Sequence, residues 1–215
     1  MIRKCNFFLL CGCVLYLLHG GAVRASTVPV AERVIQHGFP TQPGALAELT
    51  QALFKEYSRN DNPLSLVFYA YGMLRQADYF LATNDLIRAS EYAKTGFFYL
   101  DEAVERHEDN PRVRYLRARV DAWLASDLGR CVITLNDTAV MLNNAPGFSA
   151  GLVEHIKGMR YRALLSCKQP RQANTLLADI KKQDPDAAAA LVSGHAPEWD
   201  TAEVTQIVLP LVKGK

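Results

Sequence analysis

The chain has 215 residues, 24 Lys and Arg against 22 Asp and Glu, and a formal net charge of +2. So small a charge gives no sign of the strongly basic field by which many proteins bind nucleic acid or an anionic membrane, so no nucleic-acid partner is expected. The length is enough for one domain with a sizeable core or for a short array of repeats.

Residues 1–25 have the three parts of a secretory signal peptide. Basic residues open the chain, an apolar run covers about residues 7–18, and Val23 and Ala25 suit signal peptidase. We therefore expect cleavage between Ala25 and Ser26, which makes the mature protein periplasmic or secreted.

Two other fates of this N-terminal segment stay open. The apolar run is shorter than the roughly 20 residues of a membrane-spanning helix, but an uncleaved segment would serve as an anchor. The run Leu10-Cys11-Gly12-Cys13 loosely resembles a bacterial lipobox, although apolar residues continue after Cys13. We expect membrane association only if the segment stays uncleaved or is lipidated.

Cleavage changes both the charge and the cysteine content. Loss of Arg3, Lys4 and Arg24 leaves 21 basic against 22 acidic residues, a net charge of −1. Only Cys131 and Cys167 remain of the five cysteines. An even number of cysteines in an oxidising compartment favours a disulfide.

The mature sequence predicts an N-terminal arm followed by helices. Residues 26–44 contain three prolines and two glycines, which favours an extended arm with one short helical turn near residues 30–36. From residue 45 the apolar residues follow a helical spacing interrupted by polar turns. The predicted helices cover residues 45–57, 64–82, 86–107, 112–125, 128–143, 149–166, 171–182 and 186–192. The amphipathic segment 201–212 is expected to cap the array, and Pro210 argues against a strand there.

The helices pair into hairpins that recur roughly every 40 residues, a period typical of helical solenoids. The third hairpin carries small and large residues at the spacing of one repeat motif: Tyr161, Leu164, Lys168, Ala173, Leu177 and Pro185. The first hairpin fits the same motif through Ala77, Phe80, Asn84, Leu86, Ala89 and Ala93. In this spacing of small and large residues the chain resembles tetratricopeptide repeats. Lys168 stands where that motif usually has glycine.

The resemblance implies an all-α fold, a tetratricopeptide-like α-solenoid of antiparallel helical hairpins over residues 45–185, with capping helices and a tail over 186–215. The middle hairpin is degenerate, and ordinary hairpins of a non-repeat bundle are the alternative. In that family the first helix of each pair lines a concave groove. Transferred to this chain, the family geometry gives six candidate partner-binding residues: Tyr71, Asp78, Arg119, Trp123, His155 and Arg162.

The two mature cysteines lie near the ends of neighbouring predicted helices. Cys131 is close to the start of one helix and Cys167 to the end of the next. Because these two ends are adjacent in an antiparallel hairpin, we expect a disulfide that closes a loop of about 36 residues. Two buried free thiols are the alternative.

The sequence offers no catalytic constellation. The mature histidines, at positions 37, 107, 155 and 195, have no second histidine at helical spacing and no Cys-x-x-Cys beside them, so no metal site is predicted. Carboxylates between Asp101 and Asp109 are predicted to form a solvated helical face. No nucleophile motif or phosphate-binding glycine loop occurs. We therefore predict no catalytic residue, no cofactor and no metal.

These features favour a non-enzymatic scaffold or adaptor that binds a protein or peptide of the cell envelope in its groove. Two other functions stay open: a small-ligand-binding accessory of a transport system, and an enzyme on an all-α scaffold. A closed pocket with convergent polar groups would favour the small ligand, and an open groove would favour a peptide.

We predict that the exported protein begins at Ser26. Signal peptidase accepts the side chains of Val23 and Ala25, so the intact mass of protein purified from the periplasm or medium should lack residues 1–25. In the control variant Ala25→Arg, whose charged side chain does not fit the peptidase, the uncleaved chain should accumulate. Exported wild-type protein that still carries Met1 would contradict the prediction.

Overall fold

The computed structural model describes residues 28–144, 147–192 and 198–212. The predicted signal peptide, Ser26 and His195 lie outside the described residues. The described chain is helical and contains no strand, which confirms the all-α class. The helices are α1 (Val30–His37), α2 (Pro43–Asn60), α3 (Pro63–Ala82), α4 (Leu86–Arg106), α5 (Pro111–Asp121), α6 (Cys131–Asn143), α7 (Ala150–Ser166), α8 (Pro170–Gln183), α9 (Pro185–Val192), α10 (Thr201–Glu203) and α11 (Leu209–Val212).

Two short irregular turns complete this order. A 3-10 turn at Ser126–Leu128 lies between α5 and α6, and a π-helical turn at Val204–Val208 joins α10 to α11. Within the described ranges, none of the helices combines the length and the apolar character needed to cross a membrane.

The N-terminal arm contains the helix α1. The arm was expected to be extended with one short helical turn near residues 30–36, and the structure has an eight-residue helix, Val30–His37, at that place. The backbone N–H groups of Val30 and Ala31 donate to the carboxylate of Glu56 on α2. Ala31 and Val34 are buried in the core. A carboxylate at the helix N-terminus and an apolar face against α3 together stabilise α1.

The helices form consecutive hairpins in two layers. Each of α2 to α8 contacts the next helix, while α3 also contacts α5, and α5 also contacts α7. The helices α3, α5 and α7 therefore make one layer, with α4, α6 and α8 packed beside them. The helix α3 packs closely against α2. A Cβ atom added at Gly72 of α3 would lie 2.3 Å from Oγ1 of Thr50 on α2.

The loops between α3 and α4, between α5 and α6 and between α7 and α8 share one backbone feature. Asn84, Gly129 and Lys168 have φ angles of 60°, 70° and 57°, so each loop turns through one residue in the left-handed region. Lys168 thus adopts the conformation for which glycine is usual. The middle loop is the one that the sequence predicted poorly, since α5 ends at Asp121 and α6 begins only at Cys131. There Nε of Arg130 donates to Asp121 at 2.6 Å and fixes the loop.

The C-terminal segment, residues 198–212, does not cap the end of the array as expected. Its apolar side chains Ile207 and Leu211 are 0% and 1% exposed, because the segment returns to α3, α5 and α7. The amide of Asn62 donates to the carbonyl of Leu211 at 2.9 Å. In an ideal solenoid each repeat contacts only its neighbours, and this segment adds contacts between distant parts of the chain.

The predicted disulfide is present. Cys131 at the start of α6 and Cys167 at the end of α7 are joined, with their Cα atoms 5.6 Å apart and the residues 36 positions apart in the sequence. The bond links the open end of the α6–α7 hairpin.

We expect loss of this disulfide to lower the free energy of unfolding by about 3–4 kcal/mol, because the unfolded chain regains the entropy of a long loop. Urea denaturation of the double variant Cys131→Ser/Cys167→Ser against wild type measures the effect. Wild-type protein under reducing conditions is the matched control and should unfold with the variant. Two alkylatable thiols in the native, non-reduced protein would contradict the assignment.

Candidate functional site

An open groove of about 870 Å³ lies between α3, α4 and the chain that follows α5. Its floor and walls are mainly apolar. Four large apolar side chains that line the groove are exposed: Leu81, Leu86, Leu128 and Trp199. Exposed apolar side chains gathered in one concavity are typical of a surface that binds another molecule.

The charged residues of the groove are mostly basic. Arg75 and Lys94 are exposed and line it, and the guanidinium of Arg75 lies 5.1 Å from the ring centre of Phe39. Asp78 is the acidic residue among those that line the groove. Partial burial raises the pKa of Asp78, and Arg75 opposes this rise. The groove therefore offers apolar contacts beside positive charge.

The six residues predicted for partner binding fall into three positions. Tyr71, Asp78, Arg119 and Trp123 line the groove. Arg162 lies behind it, with its guanidinium 4.7 Å from the ring centre of Trp123. His155 lines a separate cavity. The Tyr71 hydroxyl donates to the carbonyl of Leu116 at 2.6 Å, and burial raises its pKa.

A buried carboxylate, Glu203 of the C-terminal segment, collects several donors. It accepts from the Tyr115 hydroxyl at 2.8 Å and from Nε of Arg119 at 2.7 Å. The N–H of Asp200 donates to its second oxygen, and the Asp200 carboxylate accepts from the N–H of Glu203. The last two bonds form a capping box, which starts α10.

Two of the predicted partner-binding residues thus bind this chain's own C-terminal segment. Arg119 pairs with Glu203 and stacks at 3.8 Å on the ring of Trp199. Nδ1 of His155 lies 3.3 Å from the Tyr115 hydroxyl, and its Nε2 lies 3.5 Å from the Asp200 carboxylate. Tyr115, Glu203 and Trp199 were not among the residues predicted from the sequence. The spacing Asp200-x-x-Glu203 was a usable signal for a helix start.

His155, Asp200 and Glu203 also make up a set of possible metal ligands. Their nearest ligand atoms lie within 4.8 Å of one another. A divalent cation there would have to compete with the guanidinium of Arg119, which already pairs with Glu203 at 2.7 Å. The geometry therefore fits an ion pair that holds the C-terminal segment better than it fits a metal centre.

A smaller cavity of about 170 Å³ lies beside this cluster. It is bounded by α5 and Trp123, by α7, α8 and α9, and by Glu203. The apolar residues of its wall are Met159, Ile180, Ala187 and Leu191, and the polar ones are Tyr115, Arg119, Glu154, His155 and Glu203. Arg119 and Trp123 line both the cavity and the groove.

A second group of charges is buried away from both sites. Asp137 is fully buried and accepts from Arg114 and Arg117, at 2.9 and 2.8 Å. Asp101 accepts from Arg117 and Arg130, at 3.1 and 2.7 Å. Asp101 was predicted to belong to a solvated face, and its side chain is 32% exposed but also pairs with Arg117 of α5 and with Arg130. Glu102 and Arg106 form the expected exposed pair at 2.7 Å.

Asp121 belongs to the same network and has an unusual environment. One oxygen accepts from Arg130 at 2.6 Å, whereas Oδ2 is buried and has no hydrogen-bond partner among the described residues. Burial raises the pKa of Asp121 to about 6, and the hydrogen bond from Arg130 opposes this rise. Asp121 lines neither the groove nor the cavity, which fits a structural role.

Comparison of the chain with known protein-family models, curated proteins and solved structures gave no match. Function has to be argued from the groove, the cavity and the charges around them.

We expect Asp121 to contribute to the free energy of unfolding by an amount that increases as pH falls from about 7 to about 4. In the unfolded chain an aspartate titrates near 3.9, whereas the folded pKa is about 6. Between these values the folded protein holds a proton that the unfolded chain has lost, so this group raises the free energy of unfolding by on the order of 3 kcal/mol at the acid end.

Urea denaturation across this pH range, compared between wild type and Asp121→Asn, measures the contribution. The free energy of unfolding of the variant should lack the contribution that grows toward low pH in wild type. The matched control is Asp127→Asn, which changes an exposed aspartate of the 3-10 turn and should keep the wild-type dependence. Equal pH slopes for wild type and Asp121→Asn would contradict the assignment.

Proposed function

We propose that the protein is a non-enzymatic binding protein of the cell envelope whose groove between α3, α4 and the chain after α5 takes an amphipathic segment of a protein partner. The observation that carries the proposal is the groove of about 870 Å³ with Leu81, Leu86, Leu128 and Trp199 exposed along it. An open groove with several apolar anchor points suits a peptide rather than an enclosed small molecule.

The charges of the groove narrow the chemistry of the partner. Arg75 and Lys94 stand beside the apolar wall, with Asp78 as the counter-charge. A segment with apolar residues on one side and acidic residues at its edge would complement this surface. Such complementarity contributes specificity and association rate more than affinity, so the apolar contacts are expected to dominate the binding energy.

The chain's own C-terminal segment supports this choice. It is amphipathic and acidic at its start, and it lies against α3, α5 and α7. Its Glu203 is held by Arg119 and Tyr115 while Ile207 and Leu211 are buried. The layer of α3, α5 and α7 therefore already binds one helical segment of the chemistry proposed for the partner.

The buried carboxylates support a binding function over an enzymatic one. Asp121, Asp137 and Glu203 each pair with an arginine. A general acid or base has to reach substrate with its proton-transferring oxygen, and arginine pairing opposes that use. The periplasm is the proposed compartment, since the N-terminal sequence predicts export and Cys131 and Cys167 are joined.

The groove predicts that Leu86→Asp weakens peptide binding at least tenfold. Linear peptides selected from a displayed random library against the wild-type protein should combine spaced apolar residues with acidic ones. Leu86 lines the groove and is 59% exposed, so a charge there removes an apolar anchor without disturbing the core. Fluorescence anisotropy of labelled peptides gives the affinities.

Ile87 provides the matched control. It is the next residue of the same helix turn, is 76% exposed and does not line the groove. Ile87→Asp should therefore keep the wild-type affinity. The proposal fails if no selected peptide binds more tightly than about 100 μM, if the selected peptides are basic, or if both variants bind equally well.

A further inference from the structure

The outer face of α4 presents a positive charge, an aromatic ring and a negative charge in that order along the helix. Lys94, Phe98 and Glu105 are all exposed, and Phe98, at 61%, is the most exposed aromatic side chain of the described residues. Lys94 and Glu105 lie 11 positions apart, which is about three turns of an α-helix. The three side chains therefore lie on one side of α4.

Beside Phe98 this face forms an acidic concavity of about 590 Å³. Its charged residues are Asp101, Glu102, Glu105 and Arg106. Glu102 pairs with Arg106 at 2.7 Å, and Asp101 pairs with arginines of α5 and of the loop that follows α5. Glu105 forms no ion pair within the described ranges, and the same holds for Lys94. The face thus carries one negative and one positive charge that other molecules can reach.

A second copy of the chain complements this order of groups. The midpoint between Lys94 and Glu105 lies next to Phe98 in the sequence. A two-fold axis at this point sets two α4 helices antiparallel, so that Lys94 of each copy faces Glu105 of the other and both pairs form at once. The two Phe98 rings meet near the axis, where edge-to-face or offset packing of aromatic rings is favourable. Glu91 then lies opposite the C-terminal end of the second α4, close to Arg106 of the partner subunit.

The mixed signs of this face favour a second copy over a polyanion or a basic peptide, because either of these would meet a like charge at Glu105 or at Lys94. We propose that the mature protein forms a homodimer through the outer face of α4, with Lys94 of each copy in the acidic concavity of the other and the two Phe98 rings packed between them. The two helices overlap over residues 93–106, about 21 Å. Such a contact is short for a protein interface, so we expect a weak dimer with a Kd of about 10–100 μM.

Sedimentation equilibrium of the mature protein between about 5 and 300 μM tests the proposal. Wild type should shift from monomer to dimer across this range at low salt, and the dimer should weaken severalfold at about 0.5 M salt, since its ion pairs are exposed. Phe98→Asp should weaken dimerisation at least tenfold, because it removes the apolar centre of the contact. The matched control is Ile87→Asp. Ile87 lies on the same helix, is 76% exposed and falls outside the overlap, so this variant should dimerise like wild type.

A charge exchange tests the two-fold arrangement itself. Lys94→Glu sets two carboxylates against each other at each pair, and Glu105→Lys sets two ammonium groups against each other. Each variant alone should therefore dimerise roughly fivefold more weakly than wild type or worse. In a dimer of one variant with the other, both pairs again join opposite charges. The mixture should recover the wild-type affinity, measured with one variant fluorescently labelled. This second test keeps the proposal falsifiable if Phe98→Asp does not fold.

Three results would overturn the proposal: monomeric wild type up to about 300 μM at low salt, wild-type dimerisation of Phe98→Asp, or a mixture of the charge variants that dimerises no better than either alone. Phe98 does not line the groove, so Phe98→Asp should keep the wild-type affinity for groove peptides. Leu86 lines the groove and lies outside the overlap, so Leu86→Asp should lose peptide binding and keep dimerisation. The dimer and the peptide groove can therefore fail independently.

Discussion

The arrangement of the sites depends on the charges buried between α4, α5 and α6. The network consists of three aspartates and three arginines: Asp101, Asp121, Asp137, Arg114, Arg117 and Arg130. A buried charge without its partner costs several kcal/mol, so the buried members of this network hold one another in place. They fix the rotation and the height of α5 against its two neighbours, and α5 is the helix that carries the site residues.

The two faces of α5 have different partners because of the helical repeat. Arg114, Arg117 and Asp121 follow one another at a spacing of three and four positions and face α4 and α6, whereas Tyr115 and Arg119 lie on the other side and reach Glu203. Because the ion pairs hold one face of α5 against α4 and α6, they also set the position of the opposite face, which carries Tyr115 and Arg119. The groove and the cavity share a wall at Arg119 and Trp123.

The C-terminal segment converts an open row of hairpins into a closed unit. Asn62 near the start of α3, Arg112 near the start of α5 and Ser149 before α7 all bond to this segment, at Leu211 and Gln206. These contacts join parts of the chain that the hairpin order keeps apart. The Cys131–Cys167 bond closes the α6–α7 hairpin at its open end. The groove on α3 and α4 stays open beside the hairpins that the C-terminal segment joins.

The sequence by itself determined the all-α class, the existence and order of the helices α2 to α9 outside the middle loop, and the cysteine pair. Those features follow from local rules: apolar spacing, caps such as Asn62 and Asn110, and the adjacency of hairpin ends. Only the tertiary structure decided where residues 198–212 pack, that Asp101 pairs with Arg117 and Arg130, and that Arg119 binds Glu203. Each of these depends on which face of a helix meets a segment far away in the sequence, and local periodicity carries no information about that choice.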